Sequence, residues 1–176
     1  MYLELFTKNL LVVGCGNPFL GDDGFGPAVI QHLKTDFILP EHVGLFDAGT
    51  SVRELLFDLL LSGKAPETFI LVDAVQHSNA LPGEIIPIAL DQIPENKVGD
   101  YSLHQFPTTN LLKELKDSSP MDIWAYAVQV SNIPKTIEPG LSLPVKKAVI
   151  KMGHLIQQKI YGPDSRGSKI RGSQIC

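Results

Sequence analysis

The chain of 176 residues carries 15 Lys plus Arg against 19 Asp plus Glu, a formal net charge of −4, and is 44% hydrophobic and 19% charged. This is one domain's length with enough apolar side chains for a core, which excludes a wholly disordered or collagen-like chain. The mild acidic excess argues against nucleic acid, which would need a basic stripe, and no apolar run approaches the about 20 residues that cross a bilayer, so neither nucleic acid nor membrane is expected as a partner.

The first residues, Met1 to Asn9, mix Glu4 and Lys8 into an apolar stretch and lack a signal peptide's layout, so a cytoplasmic protein is expected. Leu10 to Gly14 is a continuous apolar run ending in Gly-Cys-Gly, the pattern of a strand buried on both faces before a tight turn. From Asp22 or Asp23 onward, Phe25, Ala28, Val29 and Leu33 recur at helical spacing, with acids suited to a helix N-terminus. Val43 to Phe46 reads as a second strand closed by Asp47-Ala48-Gly49-Thr50. Ser51 is placed to cap a helix in which Val52, Leu55, Leu56, Leu59 and Leu60 form one apolar stripe.

Thr68 to Val75 predicts a third strand and Glu84 to Leu90 a fourth, at an edge or antiparallel because Pro87 cannot donate to a ladder. Asn110 to Lys116 reads as a short helix, and Asp122 to Val130 as a strand rich in aromatic and β-branched residues. Ser142 and Pro144 open a final helix carrying Val145, Val149, Met152, Ile156 and Ile160. Strands alternating with helices predict an α/β fold: a single-domain, three-layer sandwich with a mostly parallel twisted sheet and helices on both faces. The domain is expected over residues 1–162. Residues 163–176 are polar and Gly/Ser-rich, the composition of a flexible tail.

The first strand-to-helix turn, Gly14-Cys15-Gly16-Asn17-Pro18-Phe19-Leu20-Gly21-Asp22-Asp23-Gly24, invites a nucleotide-binding reading that its details oppose. Phe19 stands where a dinucleotide fingerprint needs glycine, Asp22 stands where a phosphate loop needs lysine, and two carboxylates repel phosphate. A cation fits better. In an open α/β sheet, ligands bind beyond the carboxyl ends of the strands, where Asp22, Asp23, Asp47 and Asp73 all fall. Capping explains a single acid at Asp22 or Asp23, and turn formation explains Asp47. Asp73, with four apolar residues before it and Ala74-Val75 after it, is expected to be partly buried and in need of a cation or several hydrogen bonds.

His104, just before the short helix, is the histidine best placed to complete a site. His77 is a spare, and His32, His42 and His154 read as helix-face or loop residues. Two carboxylates and one imidazole suit several first-row divalent metals. The two cysteines, Cys15 and Cys176, are too few for a disulfide framework or zinc knuckle, and Cys15 reads as a buried core thiol. There is no Gly-x-Ser-x-Gly elbow and no His-Glu-x-x-His helix.

Five segments in one order, Gly14-Cys15-Gly16-Asn17-Pro18 with Gly21-Asp22-Asp23-Gly24-Phe25-Gly26-Pro27, then Asp47-Ala48-Gly49-Thr50, Leu71-Val72-Asp73-Ala74, Leu103-His104-Gln105 and Ile137-Glu138-Pro139-Gly140, resemble the nickel-iron hydrogenase maturation endopeptidases. The resemblance spans approximately residues 10–160, and within the family the chain resembles the delta protein of deazaflavin-reducing hydrogenases of methanogens. It implies that the α/β sandwich is phosphorylase/hydrolase-like, and that the chain is an endopeptidase that recognises nickel in the precursor of a hydrogenase large subunit and removes its C-terminal extension. Nickel would be carried by the precursor, and Asp23, Asp73 and His104 would be both metal ligands and catalytic positions. Some members have Glu at the position of Asp23, and Leu103 replaces the usual small residue or proline. Two other readings share these residues: a non-proteolytic, metal-dependent hydrogenase assembly factor, and a nucleotide-binding module on a Rossmann-like sheet.

Overall fold

The structure, a computed structural model, describes residues 4–76, 79–92 and 109–162. Five strands form one sheet: β1 (Leu10–Cys15), β2 (Val43–Gly49), β3 (Thr68–Val75), β4 (Ile85–Pro87) and β5 (Asp122–Gln129). Four α-helices accompany them: α1 (Phe25–Asp36), α2 (Val52–Leu61), α3 (Thr109–Ser118) and α4 (Leu143–Tyr161). The strand order is β2-β1-β3-β5-β4. The first four are mutually parallel, and β4 runs antiparallel along β5, with Pro87 at its last position. This is the edge placement that a proline without an N–H predicts. The strand is shorter than its apolar run, because the chain turns into a 3-10 helix at Leu90–Gln92.

Because side chains alternate across a strand, β1 divides the core in two. Leu11, Val13 and Cys15 join Phe69 and Leu71 of β3 beneath Leu55, Leu56 and Leu59 of α2 and Leu112 and Leu115 of α3. Leu10 and Val12 join Ile70 and Val72 on the opposite face, under Val29, Ile30 and Leu33 of α1 and Val145, Met152 and Ile156 of α4. The result is the three-layer sandwich anticipated from the alternation of elements, and the apolar stripe expected on α2 faces the core.

Local differences arise where side-chain chemistry was expected to cap helices. The Ser51 side chain makes no cap hydrogen bond, although its carbonyl accepts from Leu55 N at 3.3 Å. The helix after β1 starts with a 3-10 turn, Gly21–Gly24, and neither Asp22 nor Asp23 caps α1, whose N-cap is Gly24. A 3-10 turn at Leu5–Thr7, unmarked by any periodicity, buries Phe6 against the α2 layer.

The connections position the site. From β1 the chain passes through α1 to β2 on one side, then through α2 to β3 on the other side of β1. The loops after β1 and β3 therefore diverge above their carboxyl ends, the switch point where open α/β sheets hold ligands. Glycine brings helix and strand close together there. A Cβ on Gly26 would stand 2.2 Å from Cys15 O, and one on Gly14 would stand 2.4 Å from Gly26 O.

Candidate active site at the strand carboxyl ends

The turn after β1 carries two adjacent aspartates with different partners. Asp22 is buried, 2% exposed, and its carboxylate is fully engaged. Oδ1 accepts from Ser142 N at 2.6 Å, while Oδ2 accepts from Ser131 N at 2.8 Å and from Ser142 Oγ at 2.9 Å. One side chain thus ties the turn to the loop after β5 and to the start of α4. Ser142, expected at the opening of α4, is its N-cap residue; its carbonyl accepts from Lys146 N at 2.9 Å while its hydroxyl donates to Asp22.

Asp23 is half-buried, and its Oδ2 accepts from Asn17 N at 2.8 Å, closing the turn across its own base. Asn17 in turn accepts from Phe19 N through Oδ1 at 3.0 Å. The Asn-Pro-Phe segment is thereby held in one arrangement, and the Asp23 carboxyl group is located by a backbone donor rather than by rotamer preference alone.

Asp73 lies within β3 at the register position of Ala127 on β5, half-buried as anticipated, with Oδ1 accepting from Ala74 N at 2.8 Å. Loss of solvent pushes its pKa up to about 7; the Ala74 hydrogen bond pulls it down, and the nearby Asp23 charge raises it further. The two aspartates from different elements therefore share one electrostatic environment. A carboxylate that resists ionisation beside a second carboxylate gains most from a cation.

Cys15 shares this field. Its thiol is buried, and desolvation first, then the charges of Asp73, Asp47 and Asp23, push its pKa well above the usual value. It is the inert core thiol expected rather than a thiolate nucleophile. Asp47 is exposed, and its Oδ1 accepts from Gly49 N at 2.9 Å, the turn-forming role anticipated for it. Between the turn after β1 and Leu141 runs a groove of about 370 Å³, with Pro18, Pro27 and Asp47 in its walls.

Asp23 lies near enough for its charge to act on the Asp73 carboxyl group, while Asp22 is engaged with Ser131 and Ser142. His104 and His77 lie outside the described residues. Among the described residues, no group of three or more His, Cys, Asp or Glu side chains is arranged to hold a metal ion. Of the remaining histidines, His32 pairs Nδ1 with Asp36 on α1, His154 lies on α4 and His42 is in a loop, as expected. The contributions of Ser131 and Ser142 had no sequence signal, because they lie 109 and 120 residues from Asp22.

A family model described as hydrogenase maturation protease matches residues 27–159. The coenzyme F420 hydrogenase subunit delta of Methanothermobacter thermautotrophicus is 33% identical, over 88% of this chain and 96% of that protein. The hydrogenase 2 maturation protease of Escherichia coli is 29% identical, over 81% of this chain and 84% of that protein. Among solved structures, the [NiFe] hydrogenase maturation protease HycI from Thermococcus kodakarensis superposes with a TM-score of 0.68 at 21% identity, covering 88% of this chain and 92% of that one. The hydrogenase maturating endopeptidase HybD from Escherichia coli gives 0.63 at 24% identity, covering 88% and 94%. At those identities the superpositions speak for the fold.

Proposed function

The chain belongs to the hydrogenase maturation protease family, and from that premise we propose that it is the endopeptidase that removes the C-terminal extension from the large-subunit precursor of a nickel-iron hydrogenase, recognising the nickel already bound there. The single observation that supports the metal-recognising reading is the pairing of Asp23 with Asp73. One carboxyl group in the turn after β1 acts electrostatically on another near the end of β3, and the second is held so that its charge is costly without a counter-ion. Their chemistry fits a divalent cation of borderline hardness, and His104, which the family resemblance names as third donor, would add the nitrogen that suits nickel.

Each residue then has a task. Asp23, set by its bond from Asn17 N, presents one carboxylate to the incoming metal centre. Asp73, braced by Ala74 N, presents the second from the strand. Asp22 keeps the turn seated against Ser131 and Ser142, so that Asp23 meets the precursor without reorganisation. Nickel held by the precursor would be engaged by Asp23, Asp73 and His104 and would supply Lewis acidity when bound.

The test is the intact mass of a nickel-loaded large-subunit precursor before and after incubation with this protein. A loss equal to the C-terminal extension is expected. An unchanged mass would favour the assembly-factor reading, toward which the name of the relative from Methanothermobacter, a hydrogenase subunit, points.

A further inference from the structure

Four large apolar side chains stand in solvent around the strand carboxyl ends: Phe19 at 60%, Leu81 at 76%, Ile137 at 78% and Leu143 at 66% exposed. They ride on segments bound to one another. Leu20 and Glu138 form a parallel bridge, closed by Glu138 N donating to Phe19 O and Gly21 N donating to Glu138 O, each at 2.9 Å. Phe19 and Ile137, one residue before each bridge partner, are therefore lateral neighbours on a common side of this short pairing. Leu143 follows Ser142, which is fastened to Asp22. The turn that carries Leu81 is pinned by Gly83 N donating to Gln129 O at 2.8 Å, and it meets α4 so closely that a Cβ on Gly83 would stand 2.6 Å from Pro144 O.

These side chains thus form an apolar rim on ordered segments: Phe19 on the turn that holds Asp23, Ile137 and Leu143 on segments bonded to that turn, and Leu81 on the turn packed against the start of α4. Several large apolar side chains exposed at the ligand-binding end of a sheet suit a macromolecule, because a free ion or small polar ligand gains nothing from them. The occupant follows from continuity with the acids. A peptide bond that reaches Asp23 and Asp73 carries the chain on either side of it across the turn of Phe19 and the loop of Ile137 and Leu143. The acidic centre calls for a cation and the rim for apolar groups, so the fitting partner is a folded protein that presents a metal-bearing segment flanked by apolar residues.

We propose that Phe19, Leu81, Ile137 and Leu143 form a docking rim on which the hydrogenase large-subunit precursor seats the apolar residues flanking its metal-bearing segment. The inference rests on the endopeptidase reading for the identity of the partner, and its test separates the two.

The full-length enzyme carries Phe19→Ser with Ile137→Ser in one variant and Leu81→Ser with Leu143→Ser in another. The control is Leu61→Ser, which removes an equally exposed leucine at the far end of α2, away from the strand carboxyl ends. The probe is the nickel-loaded precursor; cleavage is followed by intact mass and binding is read directly on an immobilised precursor. The rim variants are expected to raise KM and Kd by about tenfold each, with kcat held within about twofold, an unchanged melting temperature and the control at wild-type values. Wild-type KM and Kd in both rim variants would overturn the proposal. So would a wild-type dimer, seen by sedimentation, that the rim variants dissociate without altering precursor affinity, since the rim would then serve a second copy of this chain. A wild type that binds without cutting, and loses affinity through the rim substitutions, would keep the docking rim while rejecting the endopeptidase reading. A wild type that neither binds nor cuts would reject both.

Discussion

At Asp73 the charge of the carboxylate conflicts with its surroundings. Its pKa, raised to about 7 chiefly by desolvation, means that the folded chain holds the proton more tightly than the unfolded chain does. The linkage is destabilising for the metal-free protein: the penalty is negligible below the ordinary carboxylate pKa, grows as the pH climbs, and is complete once the folded group has ionised above about 7. Asp73→Asn removes the ionisation and keeps an oxygen for Ala74 N. In metal-free protein it should raise stability at pH 8 by on the order of 2–4 kcal/mol, with the gain fading toward pH 4. Urea unfolding at both pH values checks this, and the same variant should lose precursor processing. An equal effect at both pH values would contradict the electrostatic account. Asp73 was legible in the sequence because an acid inside a four-residue apolar run has few structural explanations. The division of labour between Asp22 and Asp23 was not, because adjacent identical residues differ only in the direction that the turn gives them.

At the scale of elements, Asp22 acts as a staple. Its three hydrogen bonds join the turn after β1, the loop after β5 and the N-terminus of α4, and none of them is local in sequence. Asp22→Ala would leave the Ser131 and Ser142 N–H groups without their partner in a part-buried junction. It should cost about 2–4 kcal/mol in a denaturant titration. A loss below about 0.5 kcal/mol would show that water replaces the carboxylate without penalty. Strands and helices could be read in order because period-two and period-3.6 patterns report burial directly, as on α2. Ser51 and Ser142 are the N-cap residues as read, but their side-chain bonds could not be foreseen, because a serine hydroxyl beside a helix start has several partners within reach and tertiary structure chooses among them. The 3-10 turn that buries Phe6 has too few residues for any periodicity to show.

The whole molecule is a switch-point sheet whose opening is acidic at its centre and apolar at its rim. The order β2-β1-β3-β5-β4 sets β1, whose following turn carries Asp23, beside β3, which carries Asp73, although 50 residues separate the two acids in the chain. That juxtaposition was expected from the rule that strand carboxyl ends converge on one surface. The apolar rim was not, since Phe19, Leu81, Ile137 and Leu143 belong to no common pattern and their segments are fixed by hydrogen bonds between residues distant in sequence. On the proposed reading, a donor set of two carboxylates and one imidazole, without a thiolate, would hold nickel loosely, so the metal would enter the reaction as part of the substrate. The most direct test of that claim incubates metal-free enzyme with nickel-loaded and nickel-free forms of one precursor and records the intact mass of each. The account predicts loss of the C-terminal extension from the loaded form alone; equally rapid cleavage of both under chelating conditions would contradict it.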